Sequence, residues 1–469
     1  MPTFTLAASL TFSFFLIWRD CRRRKTVSAR VWVPTMLILI LGSRPASIWA
    51  SGGTIHASTE MANDVATSSI DQMFYFSVLA SSLILASRKG FKWGKLFASN
   101  PAIMLFYLYF AISIMWSSDP IGSTKRIIKD FGLLFVIAVV LSEKEPLQAM
   151  RAIYVRCGFL LLPLSIVFIK YFPVYGRSYG IAGDVMLTGV TTQKNSLGEI
   201  VLIFTLFMVW DYLESRPPGA KFRIGKIPWE IVILLVIGAQ LLNLSQSKTA
   251  LMCTLVGTLL ICRSGWLMSK PINIAILGAT LFVPYFVFFA EQFASILGPL
   301  TEAMGRNLTF TGRTDIWKHI SLNTVNPIIG SGYWNFWGGP GGYAVNESMH
   351  AIIPNAHNGY VDLFLDGGIT GLCILVIMLT ACGYNIMSHL GPGRDKTHYH
   401  RARFAFLIVA IIYNISESTF ARMGPIWFTT LMMLVEFPLP KVSLRKAQPA
   451  IVQREKMPDV HTESMLVAR

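Results

Sequence analysis

Charged residues are scarce in this sequence. Only 14% of the 469 residues are Asp, Glu, Lys or Arg, whereas an ordinary soluble domain carries about 25%. Hydrophobic residues make up 53% of the chain, and its mean hydropathy is +0.52. Uncharged stretches recur along the chain, as in 271–290 and 367–388, and a helix needs only about 20 apolar residues to cross a bilayer. The composition therefore argues against an ordinary soluble protein and predicts a membrane protein.

Two further absences limit the chemistry. The sequence contains no Asp-x-Asp pair, the motif that holds the catalytic metal in many sugar transferases. Its six cysteines lie in or beside the apolar stretches, so neither a disulfide framework nor the ligand spacing of a metal site is visible. We therefore predict no metal site and no cofactor. The chain also lacks a visible internal repeat.

The apolar segments predict an all-α fold, a polytopic integral membrane bundle of about 11–14 transmembrane helices. We expect a single transmembrane domain over residues 1–440, which includes one long loop at 293–357, and a polar tail at 441–469. The candidate spans are 3–18, 31–50, 71–87, 101–117, 127–142, 152–171, 195–212, 228–244, 248–263, 271–292, 359–388, 403–416 and 424–439.

Lysine and arginine predict the orientation of the bundle. Most of the 41 basic residues lie in alternate loops and in the tail, for example in "RDCRRRK" (19–25) and "GRDKTHYHRAR" (393–403). Basic loops stay in the cytoplasm, so these loops and the C-terminus are predicted to be cytoplasmic. The net charge of +16 is thus mainly a topology signal, and no nucleic-acid partner is predicted.

The opposite, outer face carries few basic residues, and these have no role in topology. Several lie at predicted helix ends, where a charge needs a partner, water or a ligand. Each one alone could simply reach water, but their repetition on one face favours a site for an anion. They are Arg44, Lys125, Arg126, Lys129, Lys170, Arg177, Lys194, Lys248, Arg306, Arg313, Lys318 and Arg422.

The long outer loop, 293–357, has a composition that favours function over disorder. "TGRTDIWKHI" (311–320) has the pattern of a short amphipathic helix, and "SGYWNFWGGPGGY" (331–343) of aromatic coil punctuated by glycine. Aromatic rings beside polar groups suit sugars, although such residues also form belts at a membrane surface. The loop ends in "NAHNGYVDLFLDGG" (355–368), which places His357 just before a helix.

These motifs resemble those of the O-antigen ligase / O-antigen polymerase superfamily. The resemblance rests on "TGRTDIW" in the long loop and on "NAHNGYVDLFLDGGITGL" after it. Two further stretches look like the exopolysaccharide-production (ExoQ-like) branch: "GRSYGIAGDVMLTGVTTQKNSLGEI" (176–200) and "NISESTFARMGPIWF" (414–428). The likeness covers most of residues 100–440. One departure is "SQSKTA" (245–250), where Lys248 stands in a turn in which many ligases have arginine.

The resemblance implies a metal-independent membrane glycosyltransferase of the bacterial inner membrane, with its active face in the periplasm. The implied substrate is an oligosaccharide on a polyprenyl diphosphate. A polymerase moves it onto an acceptor glycan, the next lipid-linked unit, and a ligase moves it onto lipid A-core. Membrane lipids surround the enzyme, and a chain-length regulator is a further candidate partner. The ExoQ-like motifs and Lys248 favour the polymerase.

The residue types suit that chemistry without a metal. Arginine binds phosphate oxygens bidentately and lysine acts as a point charge, so Arg313, Lys248, Arg177 and Lys194 are candidates for the diphosphate. His357 could take the proton from an acceptor hydroxyl. Alternatively, its protonated form could help to hold phosphate, or its ring could only tie the long loop to the top of the helix. His357 and Arg313 are therefore the predicted catalytic residues.

The remaining candidates have structural alternatives. The predicted substrate-binding residues also include Asn195, Trp317, Asn355, Asn358 and Glu417. One of the two asparagines beside His357 is expected to cap the helix. Glu417 is expected to pair with Arg422 or Arg313, and Asp362 and Asp366 with Arg313 or Lys318, or else to face water.

The sequence also fits a function of another class, that of a flippase or transporter for the same lipid-linked unit. Transporters usually place charges at the membrane midplane, often in repeated halves. The clustering of charges on one face and the absence of a visible repeat favour the enzyme.

Overall fold

The computed structural model describes residues 1–52, 68–179, 183–216, 228–263, 265–288, 313–321, 325–391 and 398–438. The start of the predicted outer loop, 293–312, and the predicted tail, 441–469, lie outside these ranges. Within them the fold is all-α apart from one short hairpin, which confirms the predicted fold class.

The α-helices of the described residues are numbered in chain order. They are α1 (Pro2–Arg23), α2 (Trp32–Leu41), α3 (Ala46–Ala50), α4 (Ser69–Arg88), α5 (Trp93–Ser99), α6 (Pro101–Ile112), α7 (Pro120–Leu141), α8 (Pro146–Tyr171), α9 (Pro173–Gly176), α10 (Lys194–Glu214), α11 (Trp229–Ser245), α12 (Lys248–Cys262), α13 (Lys270–Phe288), α14 (Arg313–Ser321), α15 (Pro340–Met349), α16 (Gly359–His389), α17 (Tyr399–Tyr413) and α18 (Pro425–Leu434).

Short 3-10 segments and one hairpin complete the secondary structure of the described ranges. The 3-10 segments are Ala29–Val31, Ser113–Trp116 and Gly265–Met268. Strands β1 (Arg177–Tyr179) and β2 (Val185–Leu187) pair antiparallel, with Arg177 opposite Leu187.

Each predicted span contains helix, but the helices differ in length and in hydropathy, which decide whether a helix can cross a bilayer. Among the described residues, α4, α8, α10 and α16 are long and apolar enough by themselves. A fifth candidate joins α5 to Pro101–Trp116 across a bend of 94°. The described chain is thus a multi-pass membrane bundle, while the number of 11–14 spans stays a prediction.

Helices α8 and α10 lie at the centre of the bundle, and α4 lies at its edge. Most of the apolar stretch of α8 and of α10 is buried, whereas most of that of α4 is not. Met73, Phe76 and Ile84 are exposed on α4, as expected where a helix faces lipid rather than water. The central position of α10 matters because its first turn reaches the candidate site.

Helix α16 is broken, which corrects the prediction of one continuous span at 359–388. Gly368 has φ +61° and ψ −164° inside it, a backbone conformation that glycine adopts easily. The amides after the break, those of Ile369 and Thr370, donate to the carbonyls of Pro327 and Ile328. Pro327 and Ile328, in the middle of the outer loop, therefore satisfy the backbone groups that the kink releases.

Candidate functional site

Glu417 connects the candidate residues at the predicted outer end of the bundle. It lies between α17 and α18, and its Oε1 accepts hydrogen bonds from Asn195 Nδ2 at 2.9 Å and Arg313 Nη2 at 3.0 Å. Its Oε2 lies 3.9 Å from His357 Nδ1. The structure thus brings Asn195, Arg313, His357 and Glu417 together from four separate segments. The expected pairing of Glu417 with Arg313 is confirmed.

Arg313 offers a free donor inside this cluster. One terminal nitrogen is bonded to Glu417, while Nη1 is buried and has no hydrogen-bond partner in the described part of the chain. A buried donor without a partner is rare in folded proteins and calls for an explanation such as a ligand. A phosphate oxygen is a natural acceptor for a guanidinium.

His357 is held by its own backbone in a strained conformation. Its φ is +49°, which costs a non-glycine residue about 1–2 kcal/mol. The side chain of Asn355 offsets part of this cost, because its Oδ1 accepts the His357 amide at 2.9 Å. Strain of this kind tends to persist where function requires it. Asn355 thus positions His357 in the described structure.

Ala356, the residue before His357, is held by hydrogen bonds at both its carbonyl and its amide. Its carbonyl accepts the indole N–H of Trp317 at 3.0 Å, and its amide donates to Asp362 Oδ1 at 3.0 Å. Trp317, proposed from sequence to bind substrate, therefore anchors the loop that carries the histidine. The carboxylate of Asp362 does the same from inside α16.

Asn358 caps α16, as expected for one of the two asparagines. Its Oδ1 accepts the amides of Tyr360 and Val361 at 3.0 and 3.2 Å. The next amide, that of Gly359, donates to the carbonyls of Asn414 and Glu417. A side chain at Gly359 would collide with the Asn414 amide group. This close approach joins the start of α16 to the loop that carries Glu417.

Lys194 and Lys248 begin the two helices beside this cluster. Lys194 precedes Asn195 at the start of α10. Lys248 is exposed at the start of α12, whose next residue, Thr249, shares a 2.6 Å hydrogen bond with Ser416. Both lysines are therefore next to residues that touch Glu417 or its neighbour. Their binding of a diphosphate stays a prediction.

Arg177 is engaged at another place. Its Nε and Nη2 donate to the carbonyl of Ile169, at 3.1 and 3.0 Å, near the end of α8. The guanidinium thus satisfies a carbonyl that the helix end leaves open. No contact between Arg177 and the Glu417 cluster is seen in the described ranges, and its role at the diphosphate stays a prediction.

The expectation for the two aspartates of α16 was wrong. Asp362 and Asp366 are buried, so they do not face water. Their partner is Arg422, whose Nη2 lies 3.1 Å from Asp366 Oδ2 and 3.9 Å from Asp362 Oδ2. Arg422 also lies over the ring of Trp334, 4.4 Å from its centroid. Arg422 is therefore a structural partner of α16, whereas the sequence favoured it as a partner of Glu417 or of an anion.

Several aromatic side chains of the coil at 331–343 pack against the protein and do not face solvent. Tyr333 and Phe336 are buried. The indole of Trp337 donates to Asp362 Oδ1, and that of Trp334 donates to the Ala421 carbonyl, both at 2.7 Å. These rings hold the long loop against α16 and the 414–424 segment. The predicted helix at 311–320 is confirmed as α14, which packs with α16 in one apolar cluster.

Residues 231–376 match a family model described as O-antigen ligase. The matched range contains Lys248, Arg313 and His357, and it ends before Glu417. No curated protein matches the chain at a significant level. The family match confirms the resemblance to the O-antigen ligase superfamily and supports glycosyl transfer in a membrane.

Proposed function

We propose that this chain, which carries an O-antigen ligase family domain at residues 231–376, is a polysaccharide polymerase of the ExoQ-like branch. Its substrate would be an oligosaccharide on a polyprenyl diphosphate, its acceptor the next lipid-linked unit, and its active face periplasmic. The observation that carries the proposal is the Nη1 of Arg313, which is buried beside the Glu417–His357 pair and has no hydrogen-bond partner among the described residues.

The proposed reaction moves one proton and one glycosyl group. The acceptor hydroxyl oxygen attacks the anomeric carbon, and the bond between that carbon and the diphosphate oxygen breaks with its electron pair on the diphosphate. His357 takes the hydroxyl proton as general base. Arg313 Nη1 donates to a phosphate oxygen, where negative charge develops.

In the proposal, Glu417 orients the guanidinium of Arg313 and stabilises the charged form of His357. By accepting from Arg313 Nη2 it fixes the plane of the guanidinium and so the direction of Nη1. The distance of 3.9 Å to His357 Nδ1 is too long for a hydrogen bond but short enough for charge attraction. The carboxylate would therefore stabilise the imidazolium that forms on proton uptake.

The chemistry is proposed to need no metal ion, because cationic side chains surround the site. Lys194 and Lys248 at the starts of α10 and α12 would add charge near the diphosphate, and helix N-termini also attract anions. In membrane vesicles supplied with the lipid-linked unit, EDTA should leave the rate of transfer unchanged.

Ligation onto lipid A-core is the second candidate, because the matching family model is itself described as O-antigen ligase. The two reactions share the donor and differ in the acceptor. Lys248, which lacks the planar fork of arginine, favours the polymerase in our proposal.

A genetic replacement with a glycan readout tests the proposal. The gene is deleted and restored as wild type, His357→Ala, Arg313→Ala or Lys318→Ala, at matched membrane levels, and surface and secreted glycans are sized. His357→Ala removes the proposed general base, a loss that lowers rates about 10²–10⁴-fold. Both His357→Ala and Arg313→Ala should lose long polymer and retain single repeat units. Lys318→Ala, an exposed cation on the same helix as Arg313, should behave as wild type.

Other outcomes would change the assignment. Long polymer that accumulates on its lipid carrier, without reaching lipid A-core, would identify a ligase. Normal glycan from both His357→Ala and Arg313→Ala would contradict the site and favour a transporter of the lipid-linked unit.

A further inference from the structure

A second cluster of charged residues lies at the opposite end of α10 from Asn195. Two buried aspartates form its centre, and each contacts more than one arginine. Asp20 pairs with Arg24 at 2.7 Å and Arg156 at 2.8 Å. Asp211 pairs with Arg24 at 2.6 Å, Arg151 at 3.0 Å and Arg23 at 3.4 Å. These aspartates are therefore already neutralised by the protein.

A shallow cavity that opens to the surface borders this cluster, between α1, α8, α10 and the start of α11. Its polar wall includes Arg19, Arg23 and Glu230, and the side chains of the two arginines are 44% and 45% exposed. Asp20 and Asp211 also line the cavity, and the rest of the wall is apolar, formed by Leu16, Val155, Phe159, Met208 and Ile231. The cavity thus combines accessible guanidiniums with a hydrocarbon surface.

Glu230 is the unsatisfied group of this cavity. Its side chain is only 8% exposed, and its Oε1 lies 3.4 Å from Arg19 Nη2. Its Oε2 is buried and has no hydrogen-bond partner among the described residues. A buried carboxyl oxygen without a hydrogen-bond donor is costly, so a ligand that brings a donor to Glu230 would be stabilised in this cavity.

The charge balance indicates the rest of the ligand. In the described ion pairs, five guanidiniums (Arg19, Arg23, Arg24, Arg151 and Arg156) face three carboxylates, and a fourth carboxylate, that of Glu214, also attracts Arg151. The excess is positive and is most accessible at Arg19 and Arg23. A matching ligand therefore carries an anion for the arginines and, a few bonds away, a cationic donor for Glu230.

We propose that this cavity binds the phosphoethanolamine headgroup of a membrane phospholipid. The phosphate would lie against Arg19 and Arg23, the ammonium would donate to Glu230 Oε2, and an acyl chain would follow the apolar wall. A lipid fits better than a soluble phosphate ester because an apolar wall adjoins the two exposed arginines. Trp18 and Trp229 are half exposed beside the cavity, and tryptophan is typical of the membrane–water interface.

Lipid binding to the full-length, delipidated protein in neutral detergent tests this proposal by native mass spectrometry. Three dioleoyl lipids are compared: phosphatidylethanolamine, phosphatidylcholine, whose ammonium cannot donate a hydrogen bond, and phosphatidylglycerol, which has no ammonium. A charge-assisted hydrogen bond changes affinity by about tenfold or more. Phosphatidylethanolamine should therefore bind about tenfold more tightly than either of the others.

Variants assign that preference to the cavity. Glu230→Gln should abolish the advantage of phosphatidylethanolamine over phosphatidylcholine, and Arg19→Gln should weaken all three lipids. Arg22→Gln is the matched control, because Arg22 is exposed on the same helix, is absent from the cavity wall and lies over Trp18. It should leave all three affinities unchanged.

Three results would overturn the proposal. One is tightest binding of phosphatidylglycerol, which would indicate a simple anionic site. Another is an unchanged lipid preference in Glu230→Gln. The third is competition by free phosphoethanolamine at the same concentration as the lipid, which would indicate a soluble ligand. Should a variant fail to fold, the three-lipid comparison on the wild type still decides the matter.

Discussion

At the scale of single residues, Glu417 is the most informative position of the outer site. Its carboxylate faces an arginine, an asparagine and a histidine at once. Removing its charge while keeping its shape separates the electrostatic role of Glu417 from its role in packing.

Glu417→Gln should lower polymer formation by about 10–100-fold, since hydrogen bonds to a charged group contribute about 1.5–3 kcal/mol. The amide oxygen of glutamine can still accept from Asn195, so the protein should fold and reach the membrane at normal levels. The measurement is the rate of chain growth in membrane vesicles. Glu347→Gln, an exposed acid on α15, is the control and should match the wild type. A wild-type rate in Glu417→Gln would remove Glu417 from the mechanism.

The sequence predicted the participants of the site better than their partners. Motif resemblance was enough to select His357, Arg313, Asn195 and Glu417, and the structure brings all four together. It was not enough for Asp362 and Asp366, which were expected to pair with Arg313 or Lys318 or to face water. Their burial arises because the 331–349 segment folds over α16, and local sequence spacing does not encode that long-range contact.

At the scale of elements, the break in α16 is the feature that joins the long loop to the membrane bundle. Gly330 and Gly332 also have positive φ, and the amides of Ser331 and Gly332 donate to the carbonyls of Leu365 and Asp366 just before the break. The kink and the 327–332 segment therefore form one hydrogen-bonded unit.

Gly368→Ala should destabilise the protein by about 1–3 kcal/mol, the usual range for a side chain forced into an unfavourable backbone conformation. The added carbon would also meet the backbone of Ile328. Thermal unfolding in detergent measures the effect. Gly278→Ala in α13 is the matched control, because nothing lies within 4 Å of its added carbon and alanine favours a helix. Equal melting temperatures for the two variants would show that the kink does not require glycine at position 368.

Helix positions were predictable and the kink was not. Every candidate span contains helix because apolar runs of suitable length leave the backbone no other way to satisfy its hydrogen bonds in lipid. Gly367 and Gly368 stand inside an uncharged run, and membrane helices often contain glycine. The break becomes evident only once the partner segment at 327–332 is seen.

At the scale of the whole molecule, the distribution of basic residues predicts which end of the bundle faces the cytoplasm. The Glu417 cluster would then face the periplasm and the arginine cluster the cytoplasm. The two clusters lie at the two ends of α10, so a single labelling experiment tests the orientation of both.

Lys318→Cys should react with a membrane-impermeant maleimide in cells with a permeabilised outer membrane, and Lys92→Cys should react only after the inner membrane is opened. Both lysines are exposed, and both variants are made in a chain without other exposed cysteines. Labelling is measured by a shift in gel mobility. The reverse pattern would invert the topology and place the Glu417 cluster in the cytoplasm.

Helix α10 sets a fixed distance between the Glu417 cluster and the arginine cluster. From Asn195 to Asp211 it rises about 24 Å at 1.5 Å per residue. One end is clamped by the arginines around Asp211, and the other end touches Glu417. The height of Glu417 above the clamped end is thus set by a rigid rod. In the proposed reaction the anomeric carbon is bonded directly to the lipid diphosphate, so this fixed height of Glu417 would suit any sugar held on that carrier.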